Sequence, residues 1–211
     1  MIIVSVKASA EKPGADSGLR QIEFSDGTLI TLKINYLSQP EVCEAEGVEI
    51  SPADKDQLLF AADCLKAERA ALRLIARAEQ NTFMLAGKLE KRGHEPACVR
   101  EVIALLCEMN LLDDRRFASL WLESRISRRA TSPRRLIAGL CARGIDRDDA
   151  ESALSKTLDA DGELELLRRY AEKHAGKTAG KAADDKRALS YKLKSEGFSY
   201  QAIHSFFEDS I

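Results

Sequence analysis

The sequence predicts a mainly α chain: three tandem three-helix repeats behind a small N-terminal β-hairpin or sheet. Three observations carry that prediction. Ala, Leu, Arg, Lys and Glu dominate the composition and aromatics are only 6%, which favours helix. A leucine–leucine–glycine pattern recurs three times at near-equal spacing. Strict apolar–polar alternation is confined to the first fifty residues.

The repeat is read from Gly93, Gly144 and Gly197. Leu85 and Leu89 precede the first, Leu136 and Leu140 the second, Leu189 and Leu193 the third, always eight and four residues ahead. A spacing of four keeps each pair on one helical face, and a glycine one turn later suits a left-handed helix C-terminus. A second helix is expected after each glycine, with apolar pairs Val99/Val102, Ala150/Ala153 and Ile203/Phe206, capped by Asp146 with Asp149 in the second unit and by Ser199 in the third. The glycines lie 51 and 53 residues apart, a period that signals stacked supersecondary units.

An earlier helix opens each unit. Ser51-Pro52-Ala53-Asp54 supplies cap, first-turn proline and third-position acid for the first. Asp113 or Asp114 opens the second, which carries Phe117, Leu120 and Trp121, and Gly162 before Glu163-Leu164-Glu165-Leu166-Leu167 opens the third, with Tyr170 after it. In the leading segment Ile2/Val4/Val6, Ile22/Phe24 and Ile30/Leu32/Ile34 alternate with polar residues. Ser25-Asp26-Gly27 is a hairpin turn between the last two runs, and Lys12–Gly18 is a loop. So small a sheet should pack on the first helix. The expected organisation is a β-rich region 1–50 and repeats 51–110, 111–158 and 159–211.

At 45% apolar and 31% charged the composition excludes overall disorder. The first residues form no signal peptide, and no run reaches the roughly 18 apolar residues of a membrane span. Five cysteines without a C-x-x-C, four of them (Cys64, Cys98, Cys107, Cys141) among aliphatic residues, read as buried free thiols. A cytoplasmic protein that makes no membrane contact is expected.

Charge is uneven. From Arg115 to Arg143 there are eight arginines (Arg115, Arg116, Arg125, Arg128, Arg129, Arg134, Arg135 and Arg143) against one acid, Glu123, within a chain of net charge −2. Arg125, Arg128 and Arg129 project from one side of a helix. Ser132-Pro133 restarts a helix with Arg134 and Arg135 in its first turn, where cations oppose the macrodipole, so local stability does not account for them. The guanidinium fork suits phosphate or carboxylate. These eight residues form a candidate surface for phosphate or acidic groups. Aromatics are few there, so no base-stacking platform is expected.

At these residues the sequence resembles the RecX family of bacterial recombination regulators. The stretches that carry the likeness are Leu112-Asp113-Asp114-Arg115-Arg116-Phe117-Ala118, Ser132-Pro133-Arg134-Arg135-Leu136, Arg143-Gly144-Ile145-Asp146 with Ala153-Leu154, and Lys194–Ile203. It departs from the family pattern at Gln80–Leu85 and in a Gly- and Lys-rich insert, Lys173–Lys181. The resemblance implies tandem three-helix repeats and a non-enzymatic modulator of RecA, active in DNA recombination, repair and the SOS response. Such a protein binds the RecA filament on single-stranded DNA in its groove, inhibits its extension and ATP hydrolysis, and meets the DNA through RecA or directly. It also carries a contact role onto Arg115, Arg116, Arg134 and Arg135. A monomer without cofactor is expected.

Other chemistry is weakly represented. His94 and Cys98 could form half a metal site, but no second pair completes it. Ala175-Gly176-Lys177-Thr178 lacks the earlier glycine and preceding strand of a phosphate loop and reads as solvated linker. No Ser–His–Asp or paired-carboxylate grouping stands out. Two other functions fit the same residues. Helices joined at a glycine describe a DNA-binding helix-turn-helix, and the arginines could read an acidic protein on a scaffold.

Overall fold

The computed structural model describes residues 1–8, 18–44, 46–175 and 184–208. All of the Lys12–Gly18 loop but Gly18, and most of the Lys173–Lys181 insert, lie outside them. The chain divides into two compact units, Met1–Leu112 and Asp113–Ile211.

The first unit begins with strands β1 (Ile3–Ala8), β2 (Leu19–Phe24) and β3 (Leu29–Lys33), antiparallel in the order β1-β2-β3. The turn at Ser25-Asp26-Gly27 forms as expected. Gly27 has φ +81°, and the Thr28 amide donates to Asp26 Oδ1 at 2.9 Å, which holds the Asp26 carboxyl below its ordinary pKa. Ile22, Phe24 and Leu32 are buried as their alternation predicts.

On β1 the buried face is the other one. Ile3 is buried, while Ile2 and Val4 are 42% and 54% exposed. The cause is a bulge: Ile3 pairs with Phe24 but Ser5 with Glu23, leaving Val4 as an extra residue and flipping the alternation beyond it. Ile3 and Val6 therefore share the inward face.

That sheet packs on α1 (Pro52–Ile75), burying Ile3, Ile22, Phe24 and Leu32 against Leu58, Ala61 and Ala62. Helix α1 starts with a full capping box. The Asp54 amide donates to Ser51 Oγ at 3.1 Å and the Ser51 amide to Asp54 Oδ2 at 3.3 Å, with Pro52 in the first turn. Glu68, buried mid-helix, accepts from Lys33 Nζ at 2.7 Å and from the Tyr36 hydroxyl at 2.9 Å. Burial and the Glu68 carboxylate hold that hydroxyl far above its ordinary pKa, so it remains a donor. Helices α2 (Thr82–Glu90, capped by Asn81) and α3 (Pro96–Glu108) complete this unit around Leu85, Leu89, Val99, Val102 and Leu106.

The second unit holds α4 (Asp114–Arg128), α5 (Pro133–Cys141), α6 (Arg147–Thr157), α7 (Ala160–Ala175), α8 (Asp184–Ser195) and α9 (Tyr200–Glu208). The chain is mainly α-helical, with nine α-helices among the described residues. Gly93, Gly144 and Gly197 have φ +86°, +83° and +89°. Each closes its helix with the same two bonds, the amide after the glycine reaching the second leucine (His94 to Leu89, Ile145 to Leu140, Phe198 to Leu193) and the glycine amide reaching the residue after that leucine. This is the Schellman closure that the repeat anticipates.

Four details differ from the expectation. Leu189 is half-buried where its counterparts Leu85 and Leu136 are fully buried. Ala153 and Phe206 are also half-buried, the deeper positions being Leu154 and Ala202. Helix α7 starts at Ala160, ahead of Gly162, because Asp159 Oδ1 takes the Gly162 amide at 2.8 Å and acts as the cap. Cys141 is exposed, whereas Cys43, Cys64 and Cys98 are buried and Cys107 half-buried; it follows the inward Leu140 by one residue, which turns it out of the core. Burial pushes the Cys64 and Cys98 thiols up. Among the described residues no helix is long and apolar enough to cross a membrane.

Candidate interaction surface

All eight arginines lie in the second unit, but the fold does not gather them into one cluster. Helix α4 rises about 1.5 Å per residue, so the pair at its start and the pair at its end stand roughly 20 Å apart. That separation already excludes one small anion as the common ligand.

At the start of α4, Asp113 Oδ1 caps the helix by accepting from the Arg115 and Arg116 amides at 2.9 and 3.0 Å. The Arg115 side chain is 86% exposed, with Nε 3.9 Å from Asp149 Oδ1 on α6. Arg116 is exposed beside it. A shallow cavity of about 230 Å³ lies here, lined by Asp114, Arg115, Gly144, Asp146 and Asp149.

Arg125 and Arg143 have a different role. Both are half-buried, and their guanidinium carbons lie 5.8 and 4.8 Å from the Trp121 ring centroid. Arg143 Nη1 also donates to the Gly139 carbonyl at 2.7 Å. Gly139 makes the arrangement possible, since a Cβ there would stand 2.6 Å from Trp121 Cη2. A glycine inside α5 costs about 0.5–1 kcal/mol against alanine, and room for the indole accounts for it. These two arginines are tied to packing.

Arg128 ends α4 and Arg129 follows it with an extended φ of −143°. Both are exposed, and among the described residues neither makes an ion pair.

Arg134 and Arg135 stand where α5 meets the end of α8. The Arg134 amide donates to the Glu196 carbonyl at 3.0 Å, and its Nη1 to the Ser195 carbonyl at 3.3 Å. Arg135 Nε is 3.8 Å from Glu196 Oε2. The hydroxyl of fully buried Ser132 donates to the same carboxylate oxygen at 2.6 Å. Ser132 thus makes no cap bond to its own helix. Glu196 supplies the negative charge that the N-terminus of α5 favours. The expectation that local stability does not account for this pair is corrected to that extent: both contact the α8 terminus while their side chains stay exposed.

Sequence reasoning therefore found the arginines but missed Trp121, Gly139, Ser132 and Glu196 as the residues that sort them. The lone tryptophan and a glycine within a helix were the available signals for the first two. Nothing local announces Glu196, 64 positions from Ser132. Among the described residues no three His, Cys, Asp or Glu side chains group as a metal ion requires.

Comparison with known proteins agrees with the repeat. Residues 113–154, which include all eight arginines, match the model for the second three-helix domain of RecX. The chain is 40% identical over 114 residues to the regulatory protein RecX of Treponema pallidum, covering 54% of this chain and 70% of that protein. It is 36% identical over 141 residues to the RecX of Halorhodospira halophila, covering 64% and 83%. Among solved structures, one of regulatory protein RecX superposes over 98% of both chains with a TM-score of 0.74 at 18% identity. RecX from Lactobacillus salivarius superposes with a TM-score of 0.56 at 21% identity, over 70% of this chain and 96% of that one. These two share the fold, while the first two relatives share enough sequence along enough of their length to decide descent: the chain belongs to the RecX family of regulatory proteins.

Proposed function

We propose that the chain is a non-enzymatic modulator of the RecA recombinase that binds the RecA filament on single-stranded DNA and limits its extension and ATP hydrolysis. The observation that carries this reading is the set of six exposed arginines (Arg115, Arg116, Arg128, Arg129, Arg134 and Arg135) inside the stretch that matches the RecX second domain. Arg125 and Arg143 complete the surface by bracing Trp121 beneath it. The protein works in the cytoplasm as a monomer without cofactor, and its helical part is read as three-helix units 51–110, 111–158 and 159–211. Cations about 20 Å apart along α4 suit a partner with repeated acidic or phosphate groups better than a small molecule.

The test is RecA-dependent ATP hydrolysis on single-stranded DNA with increasing amounts of this protein. Inhibition approaching completion near one protein per few RecA subunits is expected. Unchanged hydrolysis at stoichiometric amounts overturns the proposal.

A second reading, a direct duplex binder of helix-turn-helix type, draws on α5, Gly144 and α6. The first turn of α6 carries Asp148 and Asp149 after the Asp146 cap. A recognition helix would present that end to the phosphates of a groove, and these acids oppose it.

A further inference from the structure

We propose that the outward face of α8, extended by Arg134 at the head of α5, holds single-stranded nucleic acid by stacking a base on Tyr191. Tyr191 is 79% exposed. Among the described residues no hydrogen bond or ring contact involves its side chain. A single exposed ring is ordinary on a protein surface; what singles out Tyr191 is the set of cations that shares its face.

The ring's neighbours define the ligand. Arg187 lies four residues before Tyr191 and Lys194 three after it, so both share its helical face. Both are exposed, and neither is ion-paired among the described residues. Leu193, on the opposite side, is fully buried and fixes which way the face points. One turn beyond Tyr191 is Ser195, whose carbonyl accepts from Arg134 Nη1. The stripe therefore runs Arg187, Tyr191, Lys194, Arg134, an aromatic ring between cations spaced along a line. Beside its end opens a groove of about 580 Å³ lined by Pro133, Arg134, Ile137, Cys141, Arg147 and Ser195.

Cations alone would accept any polyanion, an acidic protein segment included. The exposed ring adds a place for one flat π-face among those charges, which an unpaired nucleotide meets. Duplex bases are already stacked and cannot. Tyr200 sharpens the contrast. It is also 79% exposed, but the adjacent Ser199 amide and hydroxyl are held by the Glu163 carboxylate, so its surroundings repel phosphate.

This deepens the proposed function by naming a nucleic-acid contact on the same unit. It rests on that unit being the functional face, yet the assay contains no recombinase. Fluorescence anisotropy of a labelled oligothymidylate is measured with the full chain, an abasic oligonucleotide of equal length serving as the phosphate-only probe and polyglutamate as the acidic-protein probe. Tyr191→Ala is expected to weaken oligothymidylate binding about 5- to 150-fold, the usual loss for one base–aromatic stack. Tyr191→Phe should restore it and Tyr200→Ala should leave it intact. The abasic probe should bind the wild type as weakly as oligothymidylate binds Tyr191→Ala. Any of four results overturns the inference: no oligothymidylate binding by the wild type, no effect of Tyr191→Ala, an equal effect of Tyr200→Ala, or binding of the abasic probe or polyglutamate as tight as that of oligothymidylate. If RecA inhibition persists alongside such a result, only this inference falls.

Discussion

The junction of α5 with α8 should behave as one coupled unit, and a double-mutant cycle on Ser132 and Glu196 measures it. Glu196→Ala removes a hydrogen bond from a fully buried hydroxyl to a carboxylate, worth about 1.5–3 kcal/mol for a charged acceptor. It also removes the negative charge facing the α5 N-terminus, about 0.3–1 kcal/mol. The Arg135 contact adds little, since that side chain is 65% exposed and the separation is 3.8 Å. The expected cost is about 2–4 kcal/mol. Ser132→Ala should cost less, about 1–2 kcal/mol, because Glu196 is 21% exposed and can take water in its place. Once either partner is gone their shared hydrogen bond has already been lost, so the double variant should cost at least 1 kcal/mol less than the sum. Urea unfolding is followed through Trp121, the one tryptophan of the chain, which lies in the second unit and reports on it directly. A coupling below about 0.5 kcal/mol, the usual scatter of additivity, refutes the account of this junction.

Three other outcomes follow from the packing and charges described above. Gly139→Ala gains about 0.5–1 kcal/mol of helix propensity but drives a methyl to 2.6 Å from Trp121 Cη2. With overpacking at about 1–3 kcal/mol the net is destabilisation by about 1–2 kcal/mol with a shifted Trp121 emission, and a stabilised variant with unchanged emission contradicts this. The Tyr36 hydroxyl has a raised pKa in the folded state, so its contribution is whole below the unfolded value of about 10 and declines as pH rises above it; chemical denaturation of the wild type should show that alkaline loss and Tyr36→Phe should lessen it. Replacing Arg128 and Arg129 with Ala should weaken filament binding in a sedimentation assay and cost no more than the about 0.3–1 kcal/mol that a cation contributes at the C-terminus of α4. Binding that stays unchanged would remove that pair from the interface.

Where one residue's chemistry decides the backbone, the sequence was legible. Gly93, Gly144 and Gly197 mark helix ends because each takes a φ that other side chains resist. The Ser51–Asp54 box marks a helix start because two orphan amides need two acceptors in a fixed spacing. Alternation revealed the β-rich segment, but not which face of β1 is inward, since a bulge is one unpaired residue with no side-chain signature. The positive charge was legible as a number and not as a surface. Its division depends on Glu196 and Gly139 reaching residues that only folding brings near. The scarcity of aromatics around the arginines is a count along the chain, and it is blind to the exposed Tyr191 ring of α8, whose Ser195 carbonyl accepts from Arg134.

Stability and function can be separated by asking how much charge each local structure uses. The C-terminus of α4 is served by a cation, a gain of about 0.3–1 kcal/mol that one residue supplies. Arg128 and Arg129 stand there together, exposed and without an ion pair among the described residues, so the second adds repulsion and no fold contact. The Debye length is about 8 Å at physiological salt, well below the roughly 20 Å along α4 to Arg115. The two ends therefore act on a ligand independently. A partner gains from both only if it presents negative groups at both places at once, which a compact metabolite cannot do and a long polymer or filament can. Raising salt should then lower affinity in proportion to the number of ends engaged. Losing Arg128 and Arg129 should reduce the slope of log affinity against log salt without abolishing it.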